Sequence, residues 1–256
     1  YPESFTALLE LLDAQRFARG VSPDPKQLQT VMIRRLKQEL PPDDFGNPRF
    51  PERLLEAIAV NYTPAERQAH RWLQTYTELR RQGAKDNPTE LYATEFVLKL
   101  LKKRLFSSPE AFRTTLVQHQ KSLRGERSKK QRLAKLTVGI LRRQLEQVEE
   151  EFADDAVYEE TTDDAIATST GLFHEVTAEE QEILNQMQDW ADQASRRPDA
   201  KAQELLDWIS AVLRPDGSWG TERVIIFTEY RATQKWLFDL LAGEGLASDD
   251  RLMTLY

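Results

Sequence analysis

Two short clusters of charged and polar residues have the types and spacing to contact a phosphate group. The first is Arg34-Arg35 followed by Lys37, and the second is the run Thr228-Glu229-Tyr230-Arg231. A guanidinium is planar and always charged, so neighbouring arginines can hold a phosphate or a carboxylate through paired hydrogen bonds. The alternative for the first cluster is a solvated basic face on an amphipathic helix. The alternative for the second is an ordinary helix cap supplied by Thr228.

A third basic cluster belongs to a sharp segregation of charge along the chain. Nine Lys or Arg and a single acid, Glu126, lie between Lys121 and Arg143, whereas residues 144–195 contain many acids and no Lys or Arg. The net charge of the whole chain is −7, which argues against a general nucleic-acid-binding protein. Within the basic segment, candidates for contact with nucleic acid are Lys129, Lys130 and Arg132. The competing interpretation is a solvated helix followed by an acidic loop.

Several kinds of chemistry have little support. The chain has no Cys, which excludes a disulfide framework, a thiolate metal site and a cysteine nucleophile. Its three His, at positions 70, 119 and 174, are far apart and lack metal-binding spacing, so we expect no metal site. There is also no GxxxxGK[ST] run to bind a nucleotide phosphate. No stretch approaches the apolar length that spans a bilayer, and we expect a cytoplasmic protein without a membrane partner.

Helical periodicity dominates the segments that carry these residues. We predict a helix over 3–19, and a second helix over 26–40 that presents Arg34, Arg35 and Lys37 opposite its apolar face. Further helices should begin after Thr63, near Pro88, at Pro109, after Thr177 and at Asp199, where capping residues precede apolar periodicity. A longer helix is predicted over about 126–152. Residues 154–171, acidic and poor in large apolar side chains, predict a mobile loop.

The C-terminal segment has a different pattern. The run Val224-Ile225-Ile226-Phe227 predicts a buried parallel strand, and a helix carrying Trp236, Leu237, Leu240 and Leu241 on one face should follow it. A second short strand is predicted over 251–256. Two strands and a helix are too few for an independent sheet. Because the chain also begins at Tyr1-Pro2 without a Met, we expect it to be a piece of a larger protein.

Several of these segments resemble the bacterial Swi/Snf-type (RapA-like) branch of the superfamily-two helicases. Five stretches carry the resemblance, in the family's order. Residues 1–13 look like the segment after motif III of the first lobe, and Met32–Lys37 looks like the Arg-Arg-x-Lys box at the end of that lobe. Leu101–Ala111 resembles the Lys-Arg-x-x-Ser-Ser-Pro helix pair, Asp199–Lys201 with Leu205 resembles the Lys-led helix before the second lobe, and Ile226–Tyr230 resembles motif IV.

The resemblance implies a mainly α chain with a helical inter-lobe region and the truncated β-α-β start of a RecA-like α/β lobe. Residues 1–40 would be the last helices of the first lobe, residues 41–215 the inter-lobe insertion and residues 222–256 the beginning of the second lobe. In the family, ATP and magnesium lie between the two lobes and the protein moves along double-stranded DNA. Both the nucleotide-binding motifs and the second lobe's arginine motif would lie outside this chain.

The expected function is therefore that of a connector between two motor lobes, without ATPase activity of its own. On this interpretation Arg34, Arg35 and Lys37 contact the lobe junction or a phosphate. The residues from Thr228 to Arg231 lie at the strand edge where α/β sheets present ligand-contacting loops. The alternative is a self-contained helical protein-interaction module with no nucleic-acid role. Such a module has no need of the C-terminal strand.

Overall fold

A computed structural model of the chain describes residues 2–124 and 155–255. The chain divides into two compact units, Tyr1–Ala57 and Ile58–Tyr256. The division lies beyond residue 40, the predicted end of the first lobe's helices. The predicted helix over 126–152, and with it Lys129, Lys130 and Arg132, lies outside the described residues.

The first unit has two α-helices, α1 (Pro2–Leu12) and α2 (Pro25–Val31), and a single 3-10 turn (Lys37–Glu39). Asp24 caps α2 by accepting a hydrogen bond from the Lys26 backbone N–H. The helix predicted over 3–19 ends at Leu12; Leu9 and, beyond the helix, Phe17 are buried, whereas Leu8 and Leu12 are exposed. The apolar face of α1 is therefore narrower than the sequence pattern indicates.

The second predicted helix ends earlier than expected. It stops at Val31, because Met32 takes an extended conformation (φ −130°, ψ 127°), and residues 32–36 have no helical structure. The prediction of a helix to residue 40, with Arg34, Arg35 and Lys37 on one face, is wrong. No residue of α2 is buried, and a short helix without a packed face has little to stabilise it.

The second unit is built on three consecutive helices, α3 (Pro64–Ala84), α4 (Pro88–Ser107) and α5 (Pro109–Arg124). Each starts with proline, as predicted from the capping patterns. Thr63 and Glu66 form a reciprocal capping box at the start of α3. α4 packs against α3 and α5, and the core between them includes Tyr76, Leu101 and Phe112.

Residues Asp155–Thr170 form helix α6, so the prediction of a mobile loop over 154–171 is wrong. The helix packs against α4 and α5. Within residues 161–162 and 164–170, whose side chains the structure describes, the buried side chains other than Ile166 are small or hydroxyl-bearing: Thr162, Ala165, Ser169 and Thr170. Such residues give a weak apolar signal in the sequence. Packing, rather than propensity, places this segment in a helix.

Helices α7 (Ala178–Ala194) and α8 (Ala200–Leu213) follow, with Thr177 and Asp199 as their caps. Both starts confirm the prediction. α7 packs on α3 and α5, and Leu184 and Met187 are fully buried in the core. Trp208 on α8 is 40% exposed.

Helix α9 (Arg231–Gly243) confirms the helix predicted after the C-terminal apolar run. Its Trp236 is buried, and the indole N–H donates to the Ser195 carbonyl at 2.7 Å, just after α7. Leu241 forms a second apolar cluster with Leu206, Ile209 and Leu246. Val224 and Leu252 pack against that cluster from the two segments that flank α9.

The described residues contain helices and extended segments but no β-strand. The prediction of a mainly α chain is confirmed, and the strands expected at 224–227 and 251–256 are not formed. Neither segment has assigned secondary structure, and alternate apolar side chains are turned outward: Ile225, Phe227, Met253 and Leu255 are 71%, 89%, 72% and 73% exposed. A strand requires a hydrogen-bonded neighbouring strand, and no strand is formed within residues 2–124 and 155–255.

No helix within the described ranges is both long enough and apolar enough to span a membrane.

Candidate functional site

Three segments that are far apart in the sequence meet in the second unit at the end of α4. They are residues 103–108 at the end of α4, residues 199–201 at the start of α8, and residues 228–233 at the start of α9, and we call their meeting point the helix junction. Each of the three overlaps a stretch that carries the family resemblance. The junction therefore brings together residues that the sequence analysis considered separately.

Lys201 joins α8 to the end of α4. Its Nζ donates to the Phe106 carbonyl at 2.6 Å and to the Ser107 carbonyl. The last carbonyls of a helix have no partner within the helix and carry partial negative charge, so a cation there is stabilising. Burial lowers the pKa of Lys201, and the nearby Asp199 acts in the opposite direction. Asp199 in turn caps α8 by accepting from the Ala202 N–H at 2.7 Å.

Three hydroxyl groups join α9 to the same helix end. Thr233 Oγ1 lies 2.7 Å from Ser107 Oγ and 2.8 Å from Ser108 Oγ, and all three are within hydrogen-bonding distance. Ser108 is fully buried and also caps α5, by accepting from the Ala111 N–H at 3.1 Å. The Ser-Ser-Pro sequence thus ends one helix, starts the next and binds a third.

Two charged contacts complete the junction. The Arg104 guanidinium lies over the Tyr230 ring, 3.8 Å from its centroid, and both side chains are buried. A cation that is desolvated against an aromatic face is held more strongly than an exposed one. Lys103 Nζ and Glu229 form an ion pair at 3.5 Å, with both side chains about half exposed. The exposed pair contributes little to stability.

The structure gives separate positions to the four predicted residues of the second cluster. Tyr230 is buried and is the N-cap residue of α9, but its side chain makes no capping hydrogen bond. Thr228 Oγ1 accepts from the Tyr230 N–H at 3.5 Å, so the alternative that Thr228 caps the helix is wrong. Glu229 is exposed, and Arg231 is the partly buried first residue of α9.

The first predicted cluster lies in the other unit. Arg34 and Arg35 are exposed on the extended segment 32–36, and Lys37 begins the 3-10 turn. Lys37 Nζ lies 5.1 Å from the centroid of the Phe50 ring. The alternative predicted a solvated basic face on a helix. Arg34, Arg35 and Lys37 are exposed to solvent as that alternative expects, but residues 32–36 do not form a helix. Phosphate contact by Arg34 and Arg35 remains a prediction.

A buried polar network in the core was not predicted. The fully buried Arg80 on α3 pairs with Glu180 on α7, Nε to Oε1 at 3.3 Å, and also donates to Tyr76 Oη at 3.2 Å. Tyr76 Oη is 2.7 Å from His119 Nε2, and His119 Nδ1 is 3.1 Å from Thr170 Oγ1. The network therefore connects α3, α5, α6 and α7. The spacing of Arg80, four residues after the inward Tyr76, is the sequence signal that could have found it.

Burial sets the protonation of this network. Burial, with a smaller effect of Arg80, lowers the pKa of His119 to about 3, and burial raises the pKa of Tyr76 to about 12. Both rings are therefore neutral at pH 7. Because these groups are buried and bonded to one another, they hold the helices together.

Within residues 2–124 and 155–255, no group of three or more His, Cys, Asp or Glu could hold a metal ion. The junction offers lysines, hydroxyls and backbone groups, which can bind or position an anion or a neighbouring domain.

Comparison with family models, with curated proteins and with solved structures finds no match to this chain.

Proposed function

We propose that this chain is the helical connector of an ATP-driven nucleic-acid translocase of the Swi/Snf type. In this role the helix junction couples the connector to the first elements of the second RecA-like lobe. The observation that carries the proposal is that three family-like segments, residues 101–111, 199–205 and 226–230, converge at one place.

The exposed apolar faces of the two segments flanking α9 also support the proposal. Val224 and Leu252 face the α8–α9 layer, while Ile225, Phe227, Met253 and Leu255 face outward. Parallel strands in α/β domains are covered on both faces and are therefore apolar on both. We infer that 224–227 and 252–255 are strands of a sheet that other strands and a second helical layer complete.

The motor's chemistry is not assigned to residues of this chain. It has no GxxxxGK[ST] run, so ATP and magnesium would be held by other parts of the protein, and the chain alone should not hydrolyse ATP. Double-stranded DNA is the proposed track, and the cytoplasm the proposed location. Arg34, Arg35 and Lys37 remain proposed contacts to the track or to the lobe junction.

The first test is the natural polypeptide that contains this chain. The proposal expects a Walker-type loop before it, an arginine-bearing lobe after it, and ATP hydrolysis that double-stranded DNA stimulates. A polypeptide with neither flanking motif, or without ATP hydrolysis, would overturn the motor and leave the interaction module.

A second test addresses the junction in that same polypeptide. Lys103→Glu should lower DNA-stimulated ATP hydrolysis about two- to five-fold, the effect of an exposed pair, because it repels Glu229 where connector and lobe meet. The double exchange Lys103→Glu with Glu229→Lys should restore the rate. The control is Arg113→Glu, which breaks the Glu110–Arg113 pair within α5. Adding Glu229→Lys on the segment before α9 should not restore the rate of ATP hydrolysis in this control. Equal loss in the single and double variants would contradict coupling through this contact.

A further inference from the structure

A long groove runs along α3 and α4 to the helix junction. Its first part, between α3 and α4, has a volume of about 1070 Å³, and its second part, which ends at Thr228, Glu229 and Tyr230, has about 740 Å³. Lys99, Lys102 and Phe106 line both parts, so the two are continuous. Neither the family-like segments nor the helix junction accounts for the first part.

The first part of the groove is basic although the chain is acidic. Arg81 and Glu95 line it as a mutual ion pair, with Nε and Oε1 2.5 Å apart. The other charged lining residues are Arg67, Arg71, Lys99 and Lys102 on the basic side, and Glu78 on the acidic side. The whole chain, in contrast, has a net charge of −7. The groove therefore concentrates positive potential, which attracts a polyanion.

Aromatic rings form a row along the same groove. The His70 ring lies between Tyr62 and Phe106, with centroid distances of 5.6 Å and 4.6 Å. All three residues line the groove, and Phe106 is 46% exposed. Burial lowers the pKa of His70, and Lys102 acts in the same direction against Glu66. A neutral imidazole at pH 7 leaves the row without a charge of its own.

Cations beside exposed aromatic rings are the chemistry that binds single-stranded nucleic acid. Phosphates are held by Lys and Arg, and unpaired bases stack on aromatic side chains. An acidic peptide would use the cations but would leave the aromatic row uncovered. A duplex would present its phosphates while keeping its bases stacked inside, away from Phe106. The groove lies between two adjacent helices, which suits one strand rather than two.

We propose that the α3–α4 groove binds one strand of a nucleic acid, with a base against the exposed Phe106 ring and phosphates on Arg67, Arg71 and Lys102. The proposal extends the proposed function, since it gives the connector a contact of its own with the track. It stands apart from ATP hydrolysis, because every residue it uses belongs to this chain.

The test is fluorescence anisotropy of a labelled single-stranded oligonucleotide titrated with the 256-residue chain. Lys102→Glu should weaken binding at least about fivefold and reduce the slope of log affinity against log salt by about 1 to 2. Phe106→Ala should weaken binding about tenfold with little change in that slope, because it removes stacking and not charge. Lys85→Glu, an equal charge reversal at the exposed end of α3 outside the groove, should stay within about twofold of the parent chain.

Three outcomes would overturn the inference: no binding of the single strand, equal effects of Lys102→Glu and Lys85→Glu, or unchanged binding by Phe106→Ala. Tighter binding of polyglutamate than of the oligonucleotide, with the same loss in Lys102→Glu, would assign the groove to an acidic peptide instead. The two proposals fail separately. If the single strand binds but the natural polypeptide lacks motor motifs, the groove proposal stands and the translocase proposal fails. If DNA stimulates ATP hydrolysis but Lys102→Glu and Phe106→Ala change neither that rate nor strand binding, the translocase proposal stands and the groove proposal fails.

Discussion

Thr233 holds the start of α9 against the end of α4 through a single hydroxyl group. Replacing it with valine keeps the shape but leaves Ser108, which is fully buried, without that hydrogen bond. We expect Thr233→Val to lower the free energy of unfolding by about 1–2 kcal/mol, the cost of a buried group left without a partner. Urea denaturation measures this free energy. The control Thr75→Val, on the exposed side of α3, should change the free energy of unfolding by less than about 0.5 kcal/mol. Equal effects of the two variants would contradict the role of the hydroxyl cluster.

His119 should make the stability of the second unit sensitive to acid. Its pKa is about 3 in the folded chain, against an ordinary value of 6.5, so below pH 6.5 the unfolded chain binds a proton that the folded chain does not. The contribution is complete above about pH 6.5 and is lost as the pH falls toward 3. Between about pH 7 and pH 5 the free energy of unfolding should fall by roughly 2 kcal/mol more in the parent chain than in His119→Gln.

The comparison between these two chains isolates one ring, since Arg80, Glu180 and His174 remain in both. Denaturant titrations at each pH provide the measurement. Parallel pH profiles for the parent chain and the variant would show that His119 takes up its proton at an ordinary pH in the folded state. Glutamine preserves hydrogen bonding toward Tyr76 and Thr170, so the loss of titration is the main change.

At the scale of helices, Gly83 determines how closely α3 approaches the segment before α7. A Cβ at this position would overlap His174 Cε1 and lie 2.5 Å from Nε2, and the His174 ring is held by Glu90 at 2.7 Å. Alanine usually stabilises a helix relative to glycine by up to about 1 kcal/mol. We expect the opposite sign for Gly83→Ala, measured as a lower melting temperature.

Gly243, the last residue of α9, provides the matched control. A Cβ there meets nothing within 4 Å, so Gly243→Ala should be neutral or stabilising. A rise in melting temperature for both variants would mean that His174 moves aside at little cost.

The helices that the sequence predicts well are those with local start signals. Thr63-Pro64 and Thr177 cap α3 and α7 where expected, because a cap depends on neighbouring residues only. Helices α2 and α6 were predicted badly for the opposite reason. α2 has apolar spacing but no buried residue, whereas α6 has little apolar spacing but packs against α4 and α5. Only the tertiary environment distinguishes these cases.

Prediction of the candidate site shows the same limit. The resemblance identified the junction segments one by one, but nothing in their sequences shows that Lys201 reaches the end of α4 or that Arg104 covers Tyr230. The α3–α4 groove was missed, since its cations and aromatics are spread over two helices. A sequence window sees the i, i+4 neighbours on one helix and not the facing helix.

For the molecule as a whole, the outward apolar faces around α9 predict self-association of this chain. Exposed apolar patches of this kind favour contacts between molecules. Phe227→Ser should reduce concentration-dependent association in sedimentation experiments and change the free energy of unfolding by less than about 0.5 kcal/mol, because Phe227 is already 89% exposed. Leu241→Ala, in the buried cluster below, should instead cost about 2–5 kcal/mol.

Two other results for Phe227→Ser would change the interpretation of the C-terminal segment. A large loss of stability in Phe227→Ser would place that ring inside the molecule and remove the argument for a sheet that other strands complete. Persistent association would locate the contact elsewhere on the second unit.

The bond from the Trp236 indole to the Ser195 carbonyl gives the protein an optical reporter on its last helix. While α9 is seated, this ring is shielded and emits at short wavelength; release of the helix would wet the ring and shift its emission to the red. Phenylalanine at the four other tryptophans, Trp72, Trp190, Trp208 and Trp219, would leave one chromophore. Stopped-flow mixing with nucleic acid would then show whether the strand loosens or tightens that seat.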